Sequence, residues 1–146
     1  MIDHGLRTLL LAQSGITALV PTQTINRNTI NCIFCNGPMQ GVVPPFVVIT
    51  ARGGDPMITL ETFSETLKEA EVDVRSYGYS QVDAETLHKT IRQFLDDYVG
   101  AAGASDTIAA VVNWSEPDIG YEVQAEGLDS KFYFVETTYT IQYSTP

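Results

Sequence analysis

Cys32-x-x-Cys35 is the pattern in this chain whose residue types and spacing could do chemistry most directly. As half of a zinc site it needs two more ligands, and the only imidazoles are His4 and His88. As a redox pair it should open a helix, so that one thiol pKa falls. Asn36-Gly37-Pro38 follows instead. If the segment is extended, the two cysteines lie ~10 Å apart by strand rise, too far for a disulfide. The reading is two ordinary reduced thiols.

The other reactive types are no better placed. His88 falls on what reads as the polar face of a helix, and His4 in a first helical turn. Neither has a Ser or Cys nucleophile and an orienting acid beside it in the sequence. Glu61, Glu65, Glu69, Glu71 and Asp73 resemble an acid/base reservoir or a cation site, but no calcium-loop spacing accompanies them. They read as a solvated charged face. Phe132, Tyr133, Phe134, Tyr139 and Tyr143 could stack bases on a sheet, yet only Lys131 supplies nearby positive charge. Core packing and an intersubunit surface are the better readings. No catalytic residue, no metal ligand and no cofactor is expected.

The elements that would position these side chains are organised around Lys68–Gly100. In Ala70-Glu71-Val72-Asp73-Val74-Arg75-Ser76, small or apolar residues alternate with charged ones, the period of a strand with one wet face. Ala84, Leu87, Ile91, Leu95 and Tyr98 then follow helical spacing. Asp83 is the expected N-cap, with Val82 and Leu87 as a staple and Gly100 as C-cap. A first helix is predicted over 4–13, a short turn after Ser14, and a polar loop over 22–29. Ile30–Phe34 is a possible short strand and Phe46–Thr50 a central one. Gly53–Pro56 reads as a turn; over 57–66, Leu60, Phe63 and Leu67 fit helical spacing while the Thr content favours an exposed hairpin arm, whose Met57 and Phe63 form a contact surface or pack on their own core. Gly100–Asp106 reads as a flexible connection, Ile108–Trp114 as a strand, 119–130 as a mobile acidic loop and 131–143 as the last strand. On that strand Tyr133, Val135, Thr137, Tyr139, Ile141 and Tyr143 share a face.

The fold class expected is α+β: one domain over 1–146 with a mixed, mainly antiparallel four- to five-stranded sheet and two main helices on one face. A length of 146 residues, 44% hydrophobic and 18% charged, suits a packed globule. The net charge of −10, with eight scattered basic residues, disfavours tight binding to nucleic acid or to an anionic membrane. The N-terminus lacks a signal-peptide pattern and no stretch reaches a membrane span. A soluble protein of the cytoplasm, or of an assembly built there, is expected.

The order of elements resembles a known family. LRTLLLAQSGITALV leads into a polar loop, then PPFVVIT, a variable arm, KEAEVDVRSYGYSQVDAETLHKTIRQFLDDY and the aromatic strand FYFVETTYTIQYS. This is similar to the tail terminator (tail completion, or minor tail) proteins of long-tailed bacteriophages, lambda-like ones included. The similarity covers nearly the whole chain and is clearest over 69–98 and 132–143. It departs at 22–36 and at 53–66. The resemblance implies a non-enzymatic virion protein, a homo-oligomer that forms a hexameric ring at the head-proximal end of the tail. The ring would cap the tail tube protein, end its polymerisation and join the head-completion protein, with DNA passing unbound through its lumen. It would form in the host cytoplasm. Arg52, Met57, Glu61, Phe63 and Lys131 are the candidates for intersubunit or tube contacts, with Met57 and Phe63 as anchors. A head-completion or adaptor protein of the head-tail connector, usually more helical, is the nearest rival. A small ligand-binding α+β domain is the reading from another class.

Overall fold

A computed structural model describes residues 2–56, 67–104, 106–113, 115–123 and 131–144. Helix α1 (Ile2–Leu11) buries Ile2, Leu6, Leu9 and Leu10 along one stripe. Asp3, expected to precede this helix, lies inside its first turn and is itself buried, where the helix dipole favours a negative charge. Helix α2 (Ser14–Thr17) is a single turn that buries Ile16. Two short strands follow where a loop was expected. β1 (Gln23–Ile25) and β2 (Asn28–Ile30) pair antiparallel as a separate hairpin. Its two turn residues, Asn26 and Arg27, have φ of 51° and 69°, as a type I′ turn requires.

The main sheet begins with β3 (Ile33–Cys35) and β4 (Phe46–Pro56), which run parallel. Gly53–Pro56, read as a turn, instead extends β4, with a bulge between Gly53 and Asp55. β5 (Leu67–Gly78) follows, then helix α3 (Gln81–Leu95), β6 (Gly100–Ala102), β7 (Asp106–Asn113), β8 (Asp118–Val123) and β9 (Lys131–Ser144). The strand order is β3-β4-β5-β9-β7-β6, with β8 also on β9. β9 is the spine. β5 pairs along its whole length on one side, while β7 and β8 share the other side end to end.

The expected α+β class is therefore corrected. The protein is mainly β: a curled seven-stranded mixed sheet and a separate two-stranded sheet, with three helices among the described residues. Three-residue strands are too short to show a period, and Gly and acidic residues concealed β6 and β8. β8 replaces part of the acidic loop expected over 119–130. Within it, Gly120 lies opposite Phe134, and a Cβ there would come within 2.7 Å of the Phe134 ring. The aromatic ring covers the glycine across the strands and stabilises an otherwise weak strand.

The strand–helix unit at the centre has the expected periods. β5 buries Ala70, Val72, Val74 and Ser76, and β9 buries Val135, Thr137, Tyr139, Ile141 and Tyr143 on the same face, with Tyr133 half-buried. α3 buries Ala84, Leu87, Ile91 and Leu95 against that apolar face, while α1 contacts β3, β4 and β6. Its caps differ from expectation. The Ser80 side chain accepts from the Asp83 backbone N–H at 3.2 Å, so Ser80 is the N-cap and exposed Val82 forms no staple. At the other end the helix stops at Leu95, so Asp97 with φ of 61° follows the C-cap, while Gly100, with its own positive φ of 145°, lies further on where β6 begins. His88, expected to be solvated, is buried. It is four residues after Ala84 and three before Ile91, so it lies on the apolar stripe. No helix among the described residues is long and apolar enough to cross a membrane.

Candidate functional site

The helices occupy one face of the sheet, and the alternation of β5 sends Glu69, Glu71, Asp73, Arg75 and Tyr77 to the other. Register then fixes what stands beside them. Arg52 on β4 lies opposite Glu71, and Glu136 on β9 lies opposite Arg75. The result is a lattice of ion pairs across β4, β5, β9 and β8.

At one end of the lattice, Arg52 Nη2 is 3.0 Å from Asp73 Oδ1 and 3.5 Å from Glu71 Oε2. Thr138 Oγ1 donates to the same Asp73 oxygen at 2.6 Å, and Gln142 Nε2 donates to Glu69 at 3.3 Å. Arg52 and Glu71 are more than half exposed, so their pair contributes little; Asp73, at 20% exposure, is the fixed point.

The other end is more enclosed. Arg75 donates from Nε to Glu136 Oε2 at 2.6 Å and from Nη1 to Glu122 Oε1 at 2.8 Å. The Tyr77 hydroxyl accepts from Arg75 at 3.3 Å and donates to Glu122 at 3.1 Å, which closes a ring of hydrogen bonds. The Arg75 guanidinium also lies 4.1 Å from the centre of the Phe134 ring. Burial works against the Arg75 charge, but the contacts with Tyr77 and Glu136 outweigh it and hold the guanidinium above its ordinary range. Burial likewise pushes the Tyr77 hydroxyl up, and the Arg75 charge offsets it only in part. Beside it on the same face, Phe46 of β4 stacks on Tyr77 at 4.2 Å and meets Phe34 and Phe132 edge-on, so an aromatic cluster flanks the enclosed end of the lattice.

A shallow concavity of about 390 Å³ lies over this face, lined by Pro38, Val48, Thr50, Asp73, Arg75 and Glu136 among others. Its charged groups already satisfy one another. That arrangement holds a surface in shape.

The residues singled out from the sequence are scattered. Arg52 belongs to the lattice. Lys131 sits at the far end of β9, its Nζ 4.8 Å from the centre of the Tyr121 ring. Arg52 is level with Glu71 and Thr140, nine residues along β9 from Lys131, or roughly 30 Å by strand rise. Arg52 and Lys131 therefore do not form one patch. Met57, Glu61 and Phe63 lie outside the described residues, as do 57–66 as a whole. Arg75, Tyr77, Glu122 and Glu136 form the tightest constellation, and sequence reasoning missed it. The alternation around Arg75 was visible, but its partners come from β8 and from 61 residues away on β9.

The cysteines are unpaired; Cys32 is buried and Cys35 half-buried, and burial pushes both thiols up. His4 is exposed, its Nε2 4.0 Å from Asp3. Among the described residues, no group of three His, Cys, Asp or Glu side chains is placed to hold a metal ion. No protein-family model matches this chain, and no curated protein sequence matches it.

Proposed function

We propose that this protein is a structural subunit that assembles as a hexameric ring on the end of a bacteriophage tail tube, stops its growth and presents its other side to the head-completion protein. The observation that carries the reading is the sheet face opposite the helices. It is broad, and its charges are locked to one another rather than arranged around a reactive centre. The stretches on which the resemblance rests each form a regular element: the leucine-rich α1, the proline-introduced β4, the β5–α3 unit and the aromatic β9. The lattice carries more carboxylates than guanidiniums, so a surface of this kind facing a lumen repels DNA phosphates and lets the duplex slide. The mainly β architecture favours this role over the more helical adaptor of the head-tail connector.

Electron microscopy of the purified protein with and without the tube protein of the same phage tests the reading. Rings seated on tube ends, and tubes that stop lengthening once the protein is added, are the expected result. Tubes that elongate unchanged and carry no terminal ring would refute it.

A further inference from the structure

The charge of this chain is divided along the sequence. Residues 4–54 contain three arginines and no aspartate or glutamate, whereas residues 55–146 hold 17 of the 18 acidic side chains. Each half presents an unfinished β edge. In the acid-free half, β1 and β2 form a two-stranded sheet with no third strand among the described residues, and the exposed Arg27 sits at its tip. A lone two-stranded hairpin is marginal in water. In the acidic half, β8 pairs only with β9, and no described strand lies on its outer edge. That edge carries exposed Asp118, Ile119 at 51% exposure and Tyr121 at 56%.

We propose that the β1–β2 hairpin of one copy adds to the outer edge of β8 in the next copy, head to tail. This rests on the ring reading above and names one pair of surfaces that would meet in it. Among the described residues no further strand pairs on either edge, and an added strand would take its hydrogen bonds there. Thr24 and Thr29 on the hairpin are β-branched partners for Tyr121. Charge decides the occupant. Antiparallel self-pairing of β8 about Gly120 would set Asp118 against Glu122 of the other copy, whose carboxylate Arg75 and Tyr77 already hold, so the pair gains no attraction. The hairpin instead brings Arg27 with no carboxylate of its own. Of the two end strands of the main sheet, β3 is already occupied in part, because Arg7 Nε donates to the Ile33 carbonyl, and α1 lies against β6. Two different patches meeting in this way make a heterologous contact, the kind that closes a ring.

The test is a charge swap on the full chain, followed by sedimentation and electron microscopy. Arg27→Glu should raise the concentration needed for half-assembly by about tenfold or more. Asp118→Lys should do the same, and the double variant Arg27→Glu/Asp118→Lys should restore assembly. Arg27→Gly separates contact from folding: glycine suits a φ of 69°, so the hairpin keeps its turn while the charge is lost, and assembly should fall without loss of thermal stability. Rings formed equally well by the wild type and both single variants would overturn the pairing and leave the ring reading standing. So would single variants that still form rings but no longer seat on tube ends. A wild type that remains monomeric at every concentration, alone and with tube ends, would overturn both.

Discussion

Replacing Arg75 with Met keeps an unbranched side chain on β5 and removes the charge that joins β5, β8 and β9. The side chain is 32% exposed, and its partners Glu136 and Glu122 are 25% and 37% exposed, so solvent screens the pairs without cancelling them. Two such pairs contribute about 1 kcal/mol each, and the contact with the ring about 0.5–1 kcal/mol. Removing the guanidinium as a donor to Glu136, to the Tyr77 oxygen and to Glu122, which keeps its bond from Tyr77, brings the expected loss to about 2–4 kcal/mol. At about 3 °C per kcal/mol for a chain of this size, the midpoint should fall by roughly 6–12 °C. Urea denaturation of Arg75→Met, Glu136→Gln and the double variant gives the coupling directly, with an expected non-additivity of about 1 kcal/mol. Arg75→Lys should recover only part of the loss, since one ammonium cannot serve both carboxylates in the plane of a guanidinium. A loss below about 0.5 kcal/mol with additive single variants would show that the lattice is ornamental to the fold.

The burial of His88 makes stability depend on pH. Burial is the main cause lowering its pKa and the Arg92 charge adds to it, so the unfolded chain takes up a proton before the native one does. Stability is complete above the unfolded value of about 6.5 and falls as pH drops through that value towards the lower folded one. Melting curves between pH 7.5 and 5.5 should show this slope, and His88→Gln should flatten it; parallel curves for the two proteins would contradict the assignment. Gly5 on α1 lies against β6 so closely that a Cβ would come within 2.6 Å of the Ala102 carbonyl oxygen. Gly5→Ala should therefore destabilise by about 1–2 kcal/mol, the clash outweighing the roughly 1 kcal/mol of helix propensity gained. A more stable variant in urea would disprove the close approach. Alanine at both Met57 and Phe63 should leave a folded chain that forms no rings; unchanged rings in a sizing assay would reject these residues as anchors.

Much of the sheet was legible where a period ran long enough to be read. Alternation through Ala70–Ser76 and Tyr133–Tyr143, and helical spacing from Ala84 to Leu95, place the central strands, the long helix and the face each one buries. His88 shows the limit of reading by polarity: its spacing puts it on the buried stripe, and only its chemical type suggested water. The β1–β2 hairpin was missed because Asn26-Arg27 lacks the glycine that usually marks such a turn. The Arg75 constellation was illegible because it depends on β9 being flanked by β5 and β8 at once. Pairing between strands so distant in sequence is set by tertiary packing rather than by local pattern.

The position of β9 between partners drawn from both sides also orders events during synthesis. Until residues 131–144 leave the ribosome, β5 lacks one neighbour, β7 and β8 lack the strand that unites them, and the Arg75 guanidinium lacks one of its two carboxylates. Contacts this far apart in sequence form late. A nascent chain therefore has no finished sheet until that strand arrives, and a product cut short before it lacks the strand that unites the others.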